Sequence, residues 1–141
     1  MKRKGSAVWQ GDLKTGKGTV STESGVLSNQ QYSFTTRFES GKGTNPEELI
    51  AAAHAGCFTM ALSAQLGNAG LTPEQLETTA TVTFDKLDAG WTVTNILLDV
   101  RGKVPKADQA AWDKATQAAK TGCPISRLLN TTITMDAKLE K

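Results

Sequence analysis

Charge of one sign is what this 141-residue sequence has least of: 16 basic and 14 acidic residues leave a formal net charge of +2, scattered along the chain. No continuous basic face of the kind that tracks phosphates is in prospect, so nucleic acid is not an expected partner. The basic opening, Met1 to Gly5, is followed by Ser6, Gln10, Asp12 and Lys14. A secretory signal would need an apolar run of about 7 residues or more there, so no export signal is expected and the expected location is cytoplasmic. Internal repeats, low-complexity tracts and domain linkers are also missing, and the length suits one compact domain over residues 1–141. There is no Gly-rich phosphate loop, no nucleotide fingerprint and no Ser-His-Asp signature. Histidine occurs once, at His54, and cysteine twice, at Cys57 and Cys123. In a reducing compartment such a cysteine pair is more often redox-active or metal-binding than a structural staple.

What is present reads first as short β-type runs at Ala7-Val8-Trp9, Gly18 to Thr22 and Tyr32 to Phe38, separated by Gly, Asn and Ser. If Tyr32 to Phe38 is a strand, a period of two places Arg37 opposite the aromatic face of Tyr32, Phe34 and Phe38, where it can point into a polar site. A helix start follows, with Asn45 as N-cap, Pro46 at the first helical position and Glu47 and Glu48 in the first turn. The helix runs through Leu49 to Leu62 and stops at Gly67 or Gly70, with almost no charged face, and a helix apolar all round is buried. Its length suits a membrane span, but His54, Thr59, Ser63 and Gln65 interrupt it and its alanines are weakly apolar. A core helix covered on both sides is therefore expected rather than a membrane segment. In so small a chain this needs wrapping sheets or a second subunit, hence a homodimer.

Residues 76–88 alternate with Ala80, Val82 and Phe84 on one face, and residues 91–101 form a second β-rich run after the turn Asp88-Ala89-Gly90. A helix from Ala107 to Thr121, stopped by Gly122, precedes a second helix opened by Cys123-Pro124, and an alternating strand from Thr131 to Leu139 comes last. The pattern predicts an α+β fold.

Cysteine in an alanine-rich buried helix usually behaves as a small hydrophobe, and Cys57, with His54 one turn before it, has that ordinary reading beside a reactive one. As an N-cap before Pro124, Cys123 would meet free backbone N–H groups and the positive end of a helix dipole, both of which stabilise a thiolate. Residue types alone leave open which cysteine attacks first. A zinc ion held by His54, Cys57 and Cys123 is conceivable, but the spacing matches no zinc pattern and a packed, hydrogen-bonded imidazole is the plainer expectation. One of Glu47 and Glu48 is expected to be only capping chemistry.

The run Gly43-Thr44-Asn45-Pro46-Glu47-Glu48-Leu49-Ile50-Ala51-Ala52-Ala53-His54-Ala55-Gly56-Cys57-Phe58, with Gly122-Cys123-Pro124-Ile125-Ser126, resembles the two cysteine motifs of the OsmC/Ohr hydroperoxide reductases. Residues 16–27 and His54 resemble its osmotically inducible protein C branch. The resemblance implies an intertwined homodimer whose antiparallel sheets enclose central helices, with two active sites at the subunit interface. It further implies that Cys57 is the peroxidatic thiol, that Cys123 resolves it, and that Arg37 and Glu47 activate and orient the thiolate, the Arg37 match resting on the weaker local motif. It transfers no role to His54. The implied activity is a thiol-dependent peroxidase acting on organic hydroperoxides and hydrogen peroxide in oxidative and osmotic stress, with a thiol or dithiol as reductant and without cofactor or metal. A redox-sensing or small-ligand-binding module on the same fold, whose cysteines switch without turnover, is the competing expectation.

Overall fold

A computed structural model describes residues 1–140, which fall into two compact units, residues 1–49 and 50–141, the second described to Glu140. In the first unit β1 (Gly5–Gln10), β2 (Lys17–Thr22) and β3 (Gln30–Tyr32) form an antiparallel meander in that order. Trp9 and Tyr32 lie across it with ring centroids 5.5 Å apart.

The expected strand through Phe38 ends at Tyr32, and Phe34–Phe38 is instead a short helix, α1. Ser33 accepts from the Thr36 backbone N–H, and its own backbone N–H donates to the Thr36 hydroxyl. This capping box starts a helix despite the β-type composition. Helical spacing then stacks Phe34 on Phe38, with centroids 4.8 Å apart, and sets the Arg37 guanidinium 5.4 Å from the centre of the Phe38 ring. Arg37 is thus beside the aromatic face and not opposite it.

Gly43, at φ +124°, turns the chain back so that the Thr44 N–H donates to the Gln31 carbonyl at 2.9 Å. That turn delivers Asn45 to the N-cap of α2 (Pro46–Asn68), where its Oδ1 accepts from the Glu48 N–H at 2.8 Å.

The second unit contains the rest of α2 and a three-stranded sheet in the order β4 (Gln75–Leu87), β5 (Gly90–Lys103), β6 (Thr132–Glu140). β4 and β5 are an antiparallel hairpin with a register shift at Thr83/Phe84. β6, however, runs parallel to β5, so this sheet is mixed and not antiparallel as expected. The reason is the connection: α3 (Gln109–Gly122) and α4 (Pro124–Leu128) carry the chain back between the two strands, as a parallel pair requires.

Ile96, Leu98 and Val100 on β5, spaced by two, meet Phe58, Leu62 and Leu66 on α2, spaced by four, and Trp112, Ala115 and Ala119 on α3. Gly102 lies directly under the Trp112 indole, which occupies the place a Cβ would need. Within the chain α2 buries only the stripe His54, Phe58, Leu62 and Leu66. Ala52, Ala53, Gly56, Met60, Ala64 and Gly67 are exposed. Within its own unit the helix packs on one side, against β5 and α3. By length and composition alone α2 would also span a membrane, but its buried stripe is part of the core of this unit.

Candidate active site

Four side chains were expected to act together, and they appear as two pairs, one in each unit. In the first unit Arg37, in the last turn of α1, meets Glu47, in the first turn of α2. Nε lies 3.1 and 3.3 Å from the two carboxylate oxygens, and Nη2 lies 2.8 Å from Oε1. Glu47 is the more buried partner, at 12 % side-chain exposure against 38 % for Arg37, so the carboxylate fixes the position of a cation that still reaches solvent. Glu48 instead accepts from the Thr44 hydroxyl at 2.8 Å and is exposed. A cavity of about 260 Å³ lies beside Arg37, walled by Trp9, Leu13, Tyr32, Phe34 and Phe38. Its wall is mostly aromatic and aliphatic, with the guanidinium, Ser33 and the Tyr32 phenol as its polar side chains.

In the second unit Cys57, midway along α2, meets Cys123, the N-cap of α4. Both thiols are free and their Sγ atoms are 2.9 Å apart. Cys57 is half-buried and Cys123 wholly buried. Pro124 at the first helical position starts α4 immediately after Cys123, as the sequence predicts. Either sulfur can be drawn as the donor in this contact. The Ile125 N–H lies near both sulfurs, and the Ser126 N–H and hydroxyl lie near Cys123. None of these groups closes a well-formed capping hydrogen bond with the sulfur; they act on it by proximity and charge.

Burial, followed by the contact with Cys123, pushes the Cys57 thiol above the ordinary range. Burial also pushes Cys123 upward, but the hydrogen bond from Cys57 and the donors at the start of α4 outweigh it and hold Cys123 below the ordinary thiol value. The two thiols titrate as one coupled system.

His54 is wholly buried, and its Nε2 is 2.7 Å from Ser126 Oγ. Burial holds its pKa below the usual imidazole value. The ring nitrogen is engaged with Ser126, and among the described residues no three His, Cys, Asp or Glu side chains converge as a metal site requires. Ser126 is the participant that sequence reasoning passed over. The signal was available in Cys-Pro-x-Ser, which puts a hydroxyl at the third position of a helix whose N-cap is the cysteine.

Comparison with known proteins gives consistent results. A family described as "OsmC-like protein" matches residues 39–138, which takes in Glu47, Cys57 and Cys123 and begins just after Arg37. The chain is 57 % identical over 138 residues to a protein of Escherichia coli named Peroxiredoxin OsmC, covering 98 % of this chain and 96 % of that one. It is 32 % identical over 87 residues to an Organic hydroperoxide resistance protein of Xanthomonas axonopodis, covering 61 % of this chain and 59 % of that one. The fold is similar to that of the Organic Hydroperoxide Resistance Protein OhrB of Bacillus subtilis, with a TM-score of 0.71 at 22 % identity over 96 % of this chain and 98 % of that one.

Proposed function

The chain belongs to the OsmC family, and from that premise we propose that it is a peroxide-reducing oxidoreductase whose two thiols carry the reaction in turn. The observation that supports this best is the 2.9 Å contact between a half-buried and a fully buried sulfur. A disulfide needs about 2.05 Å, so less than about 1 Å of closure separates the thiol pair from its oxidised form.

Cys57 is the sulfur a dissolved peroxide can reach. As thiolate it attacks one peroxide oxygen, the O–O bond breaks, and the second oxygen leaves with a proton as water or alcohol. Cys57 is now a sulfenic acid. The Cys123 thiolate attacks it, the S–O bond breaks, water leaves and the disulfide forms; an external thiol or dithiol then restores both thiols by exchange. The protein supplies every reacting group of this cycle apart from peroxide and reductant, and a reducing compartment such as the cytoplasm would supply the latter.

Burial raises the Cys57 thiol, and a cation beside that sulfur would favour its thiolate. Arg37 is that cation in our reading. Glu47 and Cys57 are ten residues apart on one helix, about 15 Å along its axis, so Glu47 does not reach the sulfur of its own chain. Two α2 helices packed antiparallel about a two-fold axis through their exposed apolar faces would bring the Arg37–Glu47 pair of one subunit to Cys57 of the other. The apolar cavity beside Arg37 then receives the organic tail of a hydroperoxide, while hydrogen peroxide is small enough to enter regardless.

A steady-state assay with alkyl hydroperoxide, hydrogen peroxide and a dithiol tests the reading. Turnover lost in Cys57→Ser, with a single turnover and overoxidation of Cys57 in Cys123→Ser, is the expected result. Binding or oxidation of one equivalent without turnover would leave a sensor and remove the enzyme.

A further inference from the structure

Four side chains join α2 to the start of α4 in two rungs. Cys57 Sγ meets Cys123 Sγ at 2.9 Å, and His54 Nε2 meets Ser126 Oγ at 2.7 Å. His54 and Cys57 are one turn apart on α2, and Ser126 is one turn beyond Cys123, the N-cap of α4, so each helix presents both of its members on one face. The rungs run in opposite order: the earlier residue of one helix pairs with the later residue of the other. Two such contacts fix where α4 lies on α2 and also how it is turned about that point, which a single contact would leave free.

The sulfur rung is the one that reacts, and the cycle described above gives the other no task. Yet His54 is wholly buried, and its Nδ1 has no hydrogen-bond partner among the described residues. Ser126 is thus the group that satisfies the ring. A hydroxyl both donates and accepts, so the bond forms with either imidazole tautomer. Little else holds α4 in place. None of its five residues is fully buried, Leu128 is 72 % exposed, and Ile125, with Leu129 just after the helix, packs only partly against the core. Apart from the sulfur contact, His54–Ser126 is the side-chain hydrogen bond that joins α4 to α2 among the described residues.

We propose that His54 and Ser126 are positioning residues for disulfide closure: their hydrogen bond holds α4 against α2 in the reduced protein, so that Cys123 waits within about 1 Å of bonding distance to Cys57. This rests on the peroxidase reading and explains how its second step is prepared. In that step Cys123 gives up its proton, its sulfur bonds to Cys57 Sγ, the sulfenic S–O bond breaks, and the departing hydroxide takes up a proton to leave as water. Cys123 is oxidised as the sulfenic sulfur is reduced. The part of His54 and Ser126 is to keep the two sulfurs together. Without their bond α4 swings away from α2 in the reduced protein, whereas the disulfide itself holds the oxidised protein closed. Loss of one buried hydrogen bond is enough to lower the closed share of the reduced protein about tenfold.

The first test needs no peroxide. The cysteine pair is equilibrated with reduced and oxidised glutathione, and the dithiol and linked forms are counted by mass spectrometry after acid quench. His54→Leu and Ser126→Ala are each expected to shift the balance about tenfold toward the dithiol, which raises the reduction potential by about 30 mV. The double variant is expected to shift no further than either single one, since all three remove the same bond. His54→Gln, whose amide also donates and accepts, is expected to return most of the shift. In a second test, decay of the Cys57 sulfenic acid after one equivalent of peroxide, followed by rapid quench, is expected to slow about tenfold in the same variants. A bond that only adds stability would lower the melting midpoint of both redox forms and leave the glutathione balance where it was. That result would overturn the proposal, as would additive shifts in the double variant. A shifted glutathione balance without peroxide turnover would uphold the positioning role and remove the peroxidase reading alone.

Discussion

Oxidation of the cysteine pair should make the protein measurably harder to unfold, by an amount the topology sets. Cys57 and Cys123 are 66 residues apart in sequence and in contact in the fold. Cross-linking a loop of that length removes chain entropy from the unfolded state worth about 4 kcal/mol at 25 °C. The native state gives little back, because the sulfurs are already within about 1 Å of bonding distance. In a chain of this size each kcal/mol moves the melting midpoint by about 3 °C, so the disulfide form should melt about 10 °C above the dithiol form. The assay is a pair of thermal scans at one protein concentration, one on fully reduced protein and one on protein treated with a single equivalent of peroxide, with mass spectrometry confirming the intrachain link. Cys123→Ser, which cannot close the loop, should show no such rise. A wild-type protein with the confirmed link and an unchanged midpoint would refute the reasoning, as would an equal rise in the Cys123→Ser control.

Arg37→Ala is expected to slow alkylation of Cys57 near neutral pH by about tenfold, since a cation near the sulfur favours its thiolate; an unchanged pH profile would place Arg37 away from the thiol. Mixing Cys57→Ser with Glu47→Ala protein under conditions of subunit exchange should restore activity, because one site of each heterodimer would be intact, and no recovery despite verified exchange would mean that the site is assembled within one chain. Burial lowers the folded-state pKa of His54 below its unfolded value of 6.5. The folded protein therefore binds fewer protons, and this stability is present above pH of about 6.5 and lost as pH falls below it, with a slope of up to about 1.4 kcal/mol per pH unit. Urea unfolding between pH 7.5 and 5 should show a shallower decline in His54→Leu, and equal slopes in the two proteins would refute the assignment.

Much of this arrangement was legible in the sequence, and the exceptions have physical causes. Asn45, Pro46 and Glu47 announce the start of α2 through local chemistry, and Cys123-Pro124 announces α4 in the same way, so both cysteines were placed on the right elements. Residues 32–38 misled because Tyr32, Phe34, Thr36 and Phe38 alternate like a strand, while one capping box decided for a helix. Its signature, Ser33 with Thr36, lacks the glutamate or glutamine of the usual motif. The parallel pairing of β6 with β5 leaves no mark on either strand's own pattern. The exposure of one side of α2 was hidden by its alanines, which look alike on every face. The His54–Ser126 contact joins residues 72 apart, and nothing in either motif alone points to the other.

The Trp112 indole seated on Gly102 has a genetic consequence. Every nucleotide change that replaces this glycine introduces a side chain where a ring already stands, on the strand that forms the middle of the sheet. Such a change is tolerable only after the ring has been exchanged for something smaller, and that exchange by itself opens a cavity in the core. Neither single step is neutral, so the two positions, one on β5 and one on α3, constrain each other's choice of residue.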